Sequence, residues 1–189
     1  MSAGDGVDVD GPVSGGPAPD WAWLDGLRTA LAALPYPVAA PGGDWDELFL
    51  SDSTQVAGAV WDVAVTGARG ELWVEVHSAE PGALAVADRL AEHGGTEAEA
   101  VRGSAVVEVD GRPVPALSWT LPERAGDDTG SGDGEPQEAC TVLLVEEAHV
   151  VRTVTVTGGE VPAGLELITV TDVAPLLDAY ARVAGWSRP

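Results

Sequence analysis

Between residues 60 and 157 the apolar residues recur at every second position, in paired runs joined by turn residues and interrupted once by a helical stretch. Successive side chains of a strand point to opposite faces, so this pattern constrains the chain to hairpins with one side turned to a core. In the first pair, Val60 to Thr66 sets Trp61, Val63 and Val65 on one face. Gly67-Ala68-Arg69-Gly70 reads as the turn. Glu71 to His77 returns with Leu72, Val74 and Val76 inward, and with Glu71, Trp73, Glu75 and His77 on the opposite face.

A second pair joins Ala105–Val109 to Val114–Leu121 through Asp110-Gly111, a dipeptide suited to the positive φ values of a tight hairpin turn. Leu117, Trp119 and Leu121 share a face there. Pro115 has no N–H to give a neighbour, which predicts an edge position or a bulge. A third pair runs from Ala139–Val145 through Glu146-Glu147-Ala148 to His149–Thr157, where Thr153 and Thr155 alternate with Val154 and Val156 as in a half-solvated strand. Leu165–Val170 reads as a last short strand.

Helical spacing occurs three times. Asp20 is a candidate N-cap for a helix carrying Trp23, Leu24, Leu27, Leu31 and Leu34, stopped by Pro35. Ser78 or Glu80 caps a second, with Pro81 in its first turn, a stripe of Ala83, Val86, Ala87 and Leu90, and Gly94-Gly95 as its end. Thr171 or Asp172 starts a third, with Val173, Leu176, Leu177, Tyr180 and Val183 in register up to Gly185. Residues 36–59 are mixed, with Gly42-Gly43 as a turn and Leu48-Phe49-Leu50 as a short apolar run. Consecutive hairpins imply antiparallel pairing. The expectation is therefore an α+β fold, an antiparallel sheet of about six to seven strands with three helices packed on it.

Two segments lack the apolar content to offset their ordering entropy. Residues 1–19 read as a disordered acidic tail, and 124–138 as a flexible acidic loop inside a single domain spanning 20–189. Within that loop, Asp127, Thr129, Ser131, Asp133, Glu135 and Glu138 loosely follow the spacing of a calcium-binding loop. Ser and Thr in place of carboxylates, the intrusion of Pro136 and strands as neighbours favour an acidic loop instead.

The formal net charge of −22 opposes binding to nucleic-acid phosphates and to anionic membranes, and leaves a basic protein as the partner it would attract. All the basic residues are Arg, and Ala, Gly, Pro and Val are abundant, as in the coding habit of a GC-rich bacterium. The single Cys, Cys140, cannot close an internal disulfide, and Met1 to Gly6 lack the charged and apolar regions of a signal peptide; both point to a cytoplasmic protein.

Catalytic and metal-binding patterns are missing. The three His residues, His77, His93 and His149, are not spaced as ligands, so no metal or cofactor is expected. Cys140 lies within a strand, which favours a buried, inert thiol. Trp61 and Trp119 fall on apolar strand faces and read as core. The face of Trp73, with Glu71, Glu75 and His77, is either covered by a helix or forms a partner surface, where Trp is enriched.

The stretches ELWVEVHSAEPGALAVADRLAEHGG (71–95), VVEVDGRPVPALSW (106–119) and ACTVLLVEEAHVVRTVTVTGG (139–159) resemble the PsbP-like family in their order of strand, helix and two hairpins ahead of a closing helix. The resemblance covers about half the chain and carries no diagnostic motif. The chain departs from the family's lipoprotein members in lacking a signal peptide and lipobox Cys, and adds a longer helical start and the acidic loop. It implies a domain that binds or escorts proteins and carries over no catalytic residue. The function expected is thus a non-enzymatic protein-binding, adaptor or chaperone-like domain. The alternatives are an acidic immunity or inhibitor-type protein binding a basic partner, and an accessory domain of an enzyme.

Overall fold

The computed structural model describes residues 21–56, 59–82, 86–124 and 138–186. The expected tail at 1–19, the N-cap Asp20 and nearly all of the acidic loop, with its weighed calcium site, lie outside those residues. The elements run α1 (Trp21–Ala32), β1 (Ala39–Pro41), β2 (Glu47–Val56), β3 (Ala59–Arg69), β4 (Leu72–Ala79), α2 (Val86–Glu92), β5 (Val101–Val109), β6 (Arg112–Leu121), β7 (Cys140–Glu147), β8 (Val150–Thr157), β9 (Glu166–Thr169) and α3 (Ala174–Val183).

The α+β composition and the three helices are as expected, but the sheet is not. Nine described strands form one sheet in the order β1-β9-β5-β6-β7-β8-β4-β3-β2. It is mixed, because β9 runs parallel to β5 through Glu108–Glu166 and Val109–Leu167, while pairing antiparallel with β1 from Ala39–Thr169 to Pro41–Leu167. The antiparallel sheet of six to seven strands is thereby overturned. The physical reasons are local. The Ala-Ala-Pro of β1 is too short to show a period, and β2 shifts register between Leu50 and Asp52 and again between Thr54 and Gln55, which breaks its alternation.

The sheet is strongly curled into a half-barrel. Its inner face carries Val74, Val76, Leu143, Val154, Val156 and Leu167, all essentially sealed from solvent. Where the curl opens toward β2 and β3, α1 and α3 close it. Leu24, Leu27 and Leu31 of α1 and Leu177 of α3 pack on Leu50, Val63 and Val65. Each such Leu contributes about 1.5–3 kcal/mol by leaving water. α2 lies on the opposite face, with Val86 and Leu90 against Trp119, Leu121, Cys140 and Val142. No described helix is long and apolar enough to cross a membrane.

Local chemistry sets the element ends. Asp110 and Gly111 both take positive φ, 49° and 72°, so the β5–β6 hairpin turns as its sequence dictates. α3 begins with the Asp172 carboxylate accepting the Ala174 N–H at 2.9 Å. It ends with Gly185 at φ 72° and the Trp186 N–H reaching back to the Ala181 carbonyl. The β3–β4 turn falls at Gly70-Glu71 rather than at 67–70, because Ala68–Trp73 and Arg69–Leu72 still pair. Gly67 is a strand residue under the Trp45 indole, whose ring lies 2.6 Å from where a Cβ would stand.

Two further expectations change. β8 is solvated on neither face: Thr153 and Thr155 are buried along with Val154 and Val156, because β8 is central and both faces are covered. Pro115 makes no bulge and stands at an edge on its β7 side only. It pairs with Val106 on β5 and stands one residue beyond Ala116–Val145, where the β6–β7 ladder stops.

Candidate functional site

Of the four residues singled out from the sequence, Trp73, Glu75 and His77 share the outer face of β4, standing across from Ala68, Thr66 and Ala64 of β3, while Glu71 falls in the β3–β4 turn. They lie at different depths. Glu71 is exposed, Trp73 is 45% exposed, Glu75 is half-buried and His77 is 1% exposed. The two readings of this face divide it: α2 reaches over its His77 end, and the Trp73 end stays open to solvent.

His77 is the centre of a charged cluster. Its Nδ1 lies 2.9 Å from Asp62 Oδ2, and its Nε2 lies 3.2 Å from Glu75 Oε2. Arg89 of α2 comes within 3.1 Å of the same Nε2 and 3.7 Å of Asp62. Glu75 also accepts from Ser51 Oγ at 2.9 Å and Thr66 Oγ1 at 3.4 Å. Burial alone would depress the imidazole. The hydrogen bonds to Asp62 and Glu75 outweigh it and carry the His77 pKa to about 9. Burial likewise opposes the Glu75 charge, but the His77 hydrogen bond and charge, the Ser51 bond and Arg89 hold its pKa at about 2. With two carboxylates on a ring sealed from solvent, the cluster ties α2 to β3 and β4. The His77 ring itself is sealed, while the Glu75 side chain keeps 33% of its surface in contact with solvent.

Asp62, Ser51 and Arg89 were not foreseen. Asp62 alternates out of phase with Val63 and Val65, so its face was implicit in the β3 period. The reach of Arg89 from α2 has no local signal.

His149 is exposed in the β7–β8 turn, and it lines a separate hollow with Arg112 and Arg152. Cys140 is buried in β7, and burial pushes its thiol up to about 12. Trp119 is buried as expected, at 8% exposure, while the Trp61 side chain lies outside the described residues. Among the described residues no group of three or more His, Cys, Asp or Glu is placed to hold a metal ion.

An uncovered apolar feature lies on the same outer face, beside α2. β6 and β7 set Leu117 opposite Leu144, one step along from Trp119–Val142 and Leu121–Cys140. α2 covers the latter pairs and stops. Beyond it Leu117 is 53% and Val106 63% exposed, with Pro115 beside them, around a shallow groove of about 500 Å³. Glu108 and Glu146 stand exposed on the same face at its end.

Family models, curated proteins and solved structures were all searched for relatives of the chain, and none matches. The PsbP-like resemblance accordingly rests on the strand and helix pattern alone.

Proposed function

We propose that the protein is a non-enzymatic protein-binding domain, and that it docks its partner on the bare strip of Val106, Pro115, Leu117 and Leu144. The observation that carries this reading is the abrupt end of α2's cover over one continuous apolar face. Exposed apolar residues that are contiguous and rimmed by polar ones mark interaction sites. The charge says which partner. Glu108 and Glu146 edge the strip and the chain carries −22 overall, so a second copy is repelled, and a segment with an apolar anchor flanked by Arg or Lys is attracted. This joins the adaptor reading to the acidic-inhibitor one through the same basic partner, in a cytoplasmic setting, and agrees with the escort role of PsbP-like proteins.

A peptide array varying Leu and Arg content independently tests it. Peptides with both residue types are expected to bind, and Leu117→Asp to abolish that binding while leaving the melting temperature close to the parent's. Binding that tracks Arg content alone, or survives Leu117→Asp, rejects the strip as the docking surface.

A further inference from the structure

At one end of the half-barrel two hollows adjoin at Pro37. One, of about 340 Å³, lies among the β5–β6 turn, the β7–β8 turn and the end of β9, and is lined by Asp110, Arg112, Glu147, Val150, Arg152 and Thr169 among others. The other, of about 330 Å³, lies between α1 and the start of α3, and has Arg28 and Tyr36 in its wall.

The hydrogen-bond ledger around them is lopsided. Four acidic groups at this end are engaged. Asp110 accepts from the Thr169 N–H at 2.8 Å and from its hydroxyl at 2.7 Å. Glu147 is shared by Arg112, at 3.4 Å, and Arg152. Asp172 holds the Ala174 N–H, and Asp178 lies 4.0 Å from Arg28. The donors are not matched. Arg152 Nε, Arg28 Nε and the Tyr36 hydroxyl are buried with no hydrogen-bond partner among the described residues. Arg152 is 1% exposed, and a buried donor without an acceptor is costly. Arg112 and Arg152 share Glu147, and Asp110 is taken up by Thr169, which leaves Arg152 Nε without an acceptor next to a wall that includes Val109 and Val150.

We propose that the hollow at Arg112 and Arg152 binds a small organic acid, with its carboxylate on the two guanidiniums and its apolar body against Val109 and Val150. A guanidinium fork matches a carboxylate in shape as well as charge, and the hollow is at the lower end of the volumes that enclose small ligands. The ligand supplies the acceptor that Arg152 Nε lacks. It uses none of the residues of the apolar strip, so the two readings stand or fall separately.

Calorimetric titration of the full chain with benzoate and with its neutral analogue benzamide tests the site. Benzoate is expected to bind saturably, with benzamide weaker by about tenfold or more. Arg112 is at the rim, so Arg112→Gln is expected to melt as the parent does and to lose benzoate by a similar factor. Ala148→Trp, which fills the mouth, is expected to do the same, and Leu117→Asp to change nothing. Equal binding of benzamide, or retention of benzoate by both Arg112→Gln and Ala148→Trp, overturns the proposal. So does inorganic phosphate competing as well as benzoate, which would make this a general anion site, or an acetylated peptide binding through a free C-terminus more tightly than benzoate.

Discussion

The backbone N–H of Ala39 donates to the hydroxyl of Ser78 across 3.1 Å, in a fully buried setting. Ala39 is in β1 and Ser78 in β4, and five strands separate them in the sheet order. The contact exists because the sheet curls far enough to bring its β1 edge back over β4.

Ser78→Ala therefore breaks a contact that closes the curl. It removes the acceptor and leaves a buried amide unpaired, at a cost of about 1–3 kcal/mol. Urea denaturation at neutral pH checks this. A loss no larger than that of an exposed Ser→Ala change would mean the curl is set elsewhere.

The His77 cluster gives stability a pH profile. The folded His77 pKa is raised to about 9, so its contribution is complete below the unfolded value near 6.5 and drains away as pH rises to 9. The size is about 3 kcal/mol at most. Glu75 has the opposite sign: its folded pKa of about 2 gives stability that is present above the ordinary carboxylate range and lost as pH falls toward 2. The two shifts share one ion pair and do not add. His77→Gln should be less stable at pH 6 and flatten the melting-temperature profile between pH 6.5 and 9. An unchanged alkaline slope in that variant would locate the titrating group elsewhere.

Leu117 and Leu121 occupy one face of one strand, and only Leu121 lies under α2. Leu121→Ala is expected to cost about 2–5 kcal/mol, against about 0.5 kcal/mol or less for Leu117→Ala. Paired denaturation curves decide it. Similar losses at both positions would show that the strip is packed in solution.

Cys140 is buried with its thiol pushed up to about 12, so at pH 8 it should resist a disulfide reagent such as Ellman's until the chain unfolds. Labelling in native buffer at the rate seen in guanidinium would contradict the β7 placement.

How far the sequence alone reached depended on the range of the interaction. The hairpins of β3–β4, β5–β6 and β7–β8 announce themselves because a period of two and residues such as Asp110-Gly111 act over a few positions. Gly67 misled for a local reason too: a glycine needed for the approach of Trp45 looks like a turn glycine. The parallel β5–β9 pair and the return of β1 were out of reach, since neither Leu167 nor Ala39 carries a mark of its partner. The site divides along the same line. The face shared by Trp73, Glu75 and His77 follows from alternation, whereas the depth of each, and the arrival of Arg89, depend on where α2 comes to rest.

The pairing of Ala39 with Thr169, and of α1 with α3 in one core, carries a cost during synthesis. The segment up to Pro41 leaves the ribosome early, yet its strand partner and its helix cover are encoded in residues 166–183. Until these emerge, α1 has only Leu50, Val63 and Val65 to pack on and β1 only its contact with Ser78 of β4, and the contacts that complete the core span most of the chain, which slows folding. A nascent chain halted before β9 should therefore be protease-sensitive over α1, however well its central hairpins have already formed.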